Sequence, residues 1–108
     1  MNKIYKVYWS QTGLNELANM LVYPREVKER ILHDSFKRLA HMPTLTAKPI
    51  PFGDWKGYWT RLGPYKVIFI YEVDEHNNIV WIDGIKHKRQ DVYWKSIKGT
   101  ENNWVEDE

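Results

Sequence analysis

Two segments of this chain carry the residue types that handle phosphates. Arg61 and Lys66 flank a Gly63-Pro64 bend, while Lys86, His87, Lys88 and Arg89 form an unbroken basic run followed by Tyr93, Lys95 and Lys98. If Gly63-Pro64 is a two-residue hairpin loop, Leu62 pairs with Tyr65 and Arg61 lies opposite Lys66 with Cβ atoms about 5 Å apart. Like charges in that position repel unless an anion sits between them, and a phosphate fits. The same register puts Trp59 opposite Ile68 on that face, an aromatic beside the cations. A final strand running antiparallel to 65–73 returns Lys86 to the level of Lys66, so both basic segments are expected at one end of the sheet. A charge run is usually a solvated face. Two basic segments converging with His, Tyr and Trp have the residue mixture of an RNA site.

The elements that must position these residues read as follows. Residues 3–9, rich in β-branched and aromatic types, form a strand. Ser10 or Thr12 caps a first helix carrying Leu14, Leu17, Ala18 and Leu21 at helical spacing. Pro24 suits the first turn of a second helix whose Ile31, Leu32, Phe36 and Leu39 form a buried stripe, and Pro43 marks its end. The short joint predicts an antiparallel helical hairpin. Residues 43–57, with three prolines and two glycines, read as a loop. Strands follow at 58–62, 65–73 and 79–86, with a polar turn from Asp74 to Asn78. The order is β-α-α-β-β-β, an α+β class in which a small antiparallel sheet carries the helical hairpin on one face. One domain spans 1–98, and 99–108 is expected to be a flexible acidic tail.

Composition narrows the function classes. At 108 residues, with 43% apolar and 15% aromatic residues, the chain suffices for one packed domain. No stretch is long and apolar enough to span a membrane, and no signal-peptide pattern opens the chain. The absence of cysteine removes disulfides and thiol chemistry and fits the cytoplasm. The first 98 residues hold all 16 Lys and Arg and 10 of the 14 acids, a surplus of six positive charges, whereas Glu101, Glu106, Asp107 and Glu108 make the tail acidic. A basic body suits an anionic partner. The tail, with Trp104, either stays untethered or folds over the basic body. No His and carboxylate cluster has ligand spacing, so no metal is expected. His33, His41 and His76 read as surface or cap residues, Asp83 as either a partner for a cation or a solvated acid, and Phe69, Tyr71 and Trp81 as core or sheet-face aromatics.

The stretch YWTRLGPYKVIFIYEV, followed by IVWIDGIKHKRQDVY, resembles the signature half of RelE/ParE toxins. The resemblance rests on Gly63-x-Tyr65-Lys66-Val67-Ile68 and the ending Asp91-Val92-Tyr93, and with the element order it covers residues 3–95. It implies a toxin of a type II toxin–antitoxin pair, neutralised by an antitoxin protein and using no cofactor. RelE-type members cleave mRNA at the ribosome without metal, by attack of a ribose 2′-OH on the adjacent phosphate. ParE-type members poison DNA gyrase, and a third possibility is a RelE-fold regulator or phage protein that binds a protein partner without catalysis. By position, Arg61 and Lys66 would be the phosphate-stabilising cations. His87 would be the general acid or base, since an imidazole of ordinary pKa near 6.5 can move a proton either way. Tyr93 would stack on or orient a base, or join in proton transfer, and Trp59, Lys86, Lys88 and Arg89 would hold RNA. Lys66 stands where the family most often has Arg, and Trp59 where many ribonuclease members are basic.

Overall fold

The computed structural model describes residues 3–88 and the backbone of 104–106. Strand β1 (Lys6–Ser10) leads into α1 (Gln11–Ala18) and α2 (Arg25–Arg38). A two-residue β2 (Lys48–Pro49) precedes β3 (Trp59–Leu62), a 3-10 turn (Pro64–Lys66), β4 (Val67–Asp74), β5 (Ile79–His87) and β6 (Trp104–Glu106). The expected α+β class and the β-α-α-β-β-β order hold, with two short edge strands added. None of the described helices is long and apolar enough to cross a membrane.

The six strands lie in the order β2-β3-β4-β5-β1-β6. The sheet is mixed rather than wholly antiparallel, because β1 runs parallel to β5, pairing Lys6 with Ile79 and Trp9 with Ile82. The long connection that a parallel pair requires runs from β1 through both helices and then through β2, β3 and β4 before reaching β5. β1 therefore lies inside the sheet, and Val7, Trp9 and Ser10 are buried. On its outer side β1 pairs with β6, Ser10 facing Trp104. Part of the acidic tail is thus a strand where a flexible segment was expected, and these three residues lie at the sheet edge remote from β3. The 43–57 segment is not all loop either: Lys48 and Pro49 pair with Thr60 and Trp59. Proline, which lacks a backbone donor, is tolerated in such an edge strand.

Both helices feed one core. Val7, Trp9, Val67, Phe69, Tyr71, Val80, Ile82 and Ile85 from the sheet pack with Leu17 of α1 and with Ile31, Phe36 and Leu39 of α2 and its end. The Trp9 indole donates to Ser35 Oγ at 2.8 Å, fixing α2 over β1. A smaller cluster of Ile50, Tyr58 and Ile70, with Trp55 against it, completes the packing. Asp83 is a buried acid rather than a solvated one, accepting from the Tyr58 hydroxyl at 3.3 Å.

The start of α1 is fixed by Ser10, whose Oγ accepts from the Gly13 amide at 2.8 Å and donates to the Asp83 carbonyl at 3.3 Å. Beyond this point β5 has lost β1 as a neighbour. Glu16 of α1 takes over: its carboxylate accepts from the Ile85 amide at 3.3 Å and binds the Lys86 ammonium. Side chains of α1 thereby cover a backbone edge that would otherwise be open to other strands.

Burial pushes the Tyr71 phenol well above its ordinary range, although the nearby Arg61 charge pulls it the other way. Tyr58 is raised first by burial and then by the carboxylates of Glu72 and Asp83. Both folded-state values lie above those of the unfolded chain, so the stability they confer is complete below pH 10.0, the ordinary phenol value, and is lost as pH rises from there. Denaturant titrations between neutral pH and strong alkali should show a plateau and then a decline starting near that value. In the ultraviolet titration, Tyr58 and Tyr71 should ionise only together with unfolding.

Candidate nucleic-acid interface

The bend between β3 and β4 is longer than a two-residue hairpin. Leu62 pairs with Ile68, Arg61 with Phe69 and Trp59 with Tyr71, while the Gly63 amide donates to the Val67 carbonyl at 2.8 Å. Pro64 opens a 3-10 turn, a position where its fixed φ and missing N–H are no handicap, and the turn adds three residues to the connection. The expected pairing of Arg61 with Lys66 and of Trp59 with Ile68 is therefore displaced by three positions. An odd displacement moves residues to the other face of the sheet. Gly63 itself has φ −107°, so it is not there for a left-handed backbone. It is there for space: a Cβ at this position would lie 2.3 Å from Phe69 Cε2. The left-handed residues are Tyr65, at φ 57°, and Lys66, at φ 63°.

This register separates the residues expected to act together. Arg61 shares a row with Phe69 and Ile85, and its Nη1 donates to the Arg38 carbonyl at 3.4 Å. It places a cation against the negative end of α2, a stabilising arrangement, and does not face Lys66. Trp59 is half-buried against the main core. Lys86 is engaged by Glu16. The backbones of Lys66, His87 and Lys88 do come together at one end of the sheet: Val67 pairs with His87, and the Lys88 amide donates to the Lys66 carbonyl at 2.7 Å. Among the described residues no carboxylate forms an ion pair with Lys66 or Lys88. Arg89 and Tyr93 lie outside the described residues.

A β-bulge aims His87. Ile70 pairs with Gly84 but Tyr71 pairs with Ile82, which leaves Asp83 as the extra residue on β5. Ile82 and Ile85 can then both enter the main core although an odd number of positions separates them. His87, two residues past Ile85, falls on the helix side of the sheet, where its ring lies 5.8 Å from that of Tyr23. Bulges commonly redirect a side chain in this way.

Three residues join this end of the molecule that the sequence reading did not assign to the site. The Tyr23 hydroxyl, in the joint between the helices, donates to the Tyr65 carbonyl, and the two rings are 6.1 Å apart. Arg30 of α2 donates from Nη1 to the Tyr65 hydroxyl at 3.3 Å. Tyr65 stood in the sequence next to Lys66, within the Gly-x-Tyr-Lys stretch, and was the one such residue with a signal. Tyr23 and Arg30 reach it only through the tertiary fold. Beside them lies a cavity of about 840 Å³ between α1 and the end of β5, lined by Asn15, Asn19, Met20, Tyr23, Ile85 and His87 among others. This end of the molecule carries an imidazole, two lysines and a row of aromatic rings, the residue types that single-stranded nucleic acid meets in its binding proteins. His33, His41 and His76 are exposed, and among the described residues no group of His, Asp or Glu has the geometry to hold a metal ion.

No family model and no curated protein matches the sequence. In three dimensions the chain is similar to a chain in the crystal structure of the toxin–antitoxin complex RelBE2 from Mycobacterium tuberculosis. The TM-score is 0.67 at 18% identity, and the match covers 82% of this chain and 95% of that one. The fold is RelE-like, as the resemblance of the signature half implied.

Gly63→Ala should lower the unfolding free energy by about 1–3 kcal/mol, since Phe69 must move to admit the methyl group. The measurement is a denaturant titration, and backbone amide shifts at Tyr65 to Val67 should change with it. Arg61→Ala should cost about 0.3–1 kcal/mol through the α2 terminus, so any loss of activity in that variant has to be judged against its stability.

Proposed function

We propose that this chain is a RelE-like toxin that cuts mRNA without a metal, at the ribosome, and that an antitoxin protein neutralises it. The observation that carries this reading is the meeting of Lys66, His87 and Lys88 at one end of a RelE-like fold, where Val67 pairs with His87 and the Lys88 amide binds the Lys66 carbonyl. The surplus of positive charge in residues 1–98 adds a sequence-independent attraction for a polyanion.

In this reading His87 takes the proton of a ribose 2′-OH, whose oxygen attacks the adjacent phosphorus. The bond to the 5′ oxygen breaks, leaving a 2′,3′-cyclic phosphate and a 5′ hydroxyl. Lys66 and Lys88 stabilise the charge that builds on the non-bridging oxygens. As lysines they act as point charges rather than as the bidentate fork of an arginine. Tyr93 is assigned to protonating the leaving oxygen or orienting a base, and Arg89 to gripping the RNA backbone. Lys86 holds β5 through Glu16, and Arg61, beside Trp59, acts on the α2 terminus as a positioning residue. That same tie of Arg61 favours a second reading, a RelE-fold protein that binds a protein partner and cuts nothing.

Expression should arrest growth and leave transcripts with new 5′ hydroxyl ends. His87→Ala should slow single-turnover cleavage by about a hundred- to ten-thousand-fold, the usual contribution of a proton-transfer group, and Lys66→Ala should relieve the arrest. Growth arrest that persists in both folded variants, or arrest without cut transcripts, overturns the nuclease assignment.

A further inference from the structure

We propose that Tyr65 is a stacking platform for one base of the bound strand, held in place by Tyr23 and Arg30. The proposal rests on the RNA-cutting reading and adds the group that positions the strand.

Three observations support it. The first is backbone conformation. Tyr65 and Lys66 are successive non-glycine residues in the left-handed region, at φ 57° and 63°. Each costs on the order of 1–2 kcal/mol relative to an ordinary conformation. A glycine would relieve the strain at either place, yet the chain carries a large aromatic and a cation there. The second is the number of contacts that hold the strained pair. The Tyr65 carbonyl accepts from Tyr23, its hydroxyl accepts from Arg30 at 3.3 Å, and the Lys66 carbonyl accepts from Lys88 at 2.7 Å. A side chain fixed from both its backbone and its tip loses little further freedom when a base lies on it, which is what a preorganised contact needs. The third is position. Tyr65 remains 42% exposed although its ring packs edge-to-face with that of Tyr23, at an interplanar angle of 62°. Tyr23 in turn lies against His87. Tyr65 is thus one ring removed from the proton-transfer group and adjacent in sequence to a phosphate-binding lysine, the place where the base next to the scissile phosphate falls.

Any base has a face to stack, so the platform contributes affinity and register rather than sequence preference. Arg30 sets the direction of the phenol and adds a cation beside the strand.

The test uses a fluorescent single-stranded RNA decamer with 2′-O-methyl riboses, which cannot be cut. Tyr65→Gly, which also relieves the left-handed strain, should weaken binding about five- to a hundred-fold, the range expected for one stacked base. Tyr65→Phe should bind within about twofold of the wild type, and Arg30→Ala should lie between the two. A set of decamers, each lacking one base, adds a readout that a purely structural role would not move. At one position the loss of the base should weaken the wild type and leave Tyr65→Gly unaffected. If wild type and Tyr65→Gly bind the intact decamer equally, or if no abasic position loses its effect in the variant, the platform is overturned while the RNA reading stands. A wild type that neither binds the decamer nor cuts transcripts overturns the RNA reading itself.

Discussion

The β4–β5 ladder extends past His87: the Lys88 amide donates to the Lys66 carbonyl at 2.7 Å, one rung beyond the pair of Val67 with His87. The character of the basic end depends on that rung. It holds Lys66 at a positive φ, which would otherwise relax toward an extended backbone, and it brings lysines of two segments to one level of the sheet. The other side of the turn is set by close contact, since Gly63 lies against the Phe69 ring with no room for a side chain. Core packing thereby dictates where the connection can run, and the rung dictates where it must end. Tyr65 is presented between the two.

The bulge at Asp83 is the second constraint, and it links the interior to the site. Without an extra residue, Ile82 and Ile85 would face opposite sides and His87 would join Trp81 rather than Tyr23. With it, the core is continuous along β5 and the imidazole emerges on the helix side. The bulged acid is accommodated by the Tyr58 hydroxyl, and the Asp83 carbonyl is bonded by the same Ser10 hydroxyl that starts α1. The direction of His87 therefore depends on one extra residue in the strand, four positions away.

Much of the architecture was legible in the sequence because it is written in local patterns. The apolar spacing of α2, the β-branched and aromatic run of β4 and the polar turn at 74–78 each appear where periodicity placed them. What periodicity does not encode is which strand neighbours which. The parallel pairing of β1 with β5 joins residues more than seventy positions apart, and nothing in KVYWS distinguishes it from an antiparallel strand. The site was less legible for a sharper reason. Gly-Pro signals a bend, but not how many residues the bend contains, and the three added by the 3-10 turn carried Arg61 away from Lys66 and toward Arg38. The convergence of Lys66 with the 86–88 run survived, because it depends on the β4–β5 register and not on the turn. Tyr23 and Arg30 reach the site through the placement of α2, which a one-dimensional pattern does not specify.

The sheet ends in two short strands of unequal kind. On one side lies β2, two residues long and half proline; on the other lies β6, three residues drawn from the acidic end of the chain. Among the described residues neither offers a long run of open amide and carbonyl groups on which another copy of the molecule could extend the sheet. Yet the two margins differ in how they are secured. β2 is anchored by Ile50 inside the smaller apolar cluster, whereas β6 leaves β1 flanked by a segment far along the chain. The β1 margin is consequently where a competing extended peptide would meet a rival strand, and the β2 margin is where it would meet a missing donor.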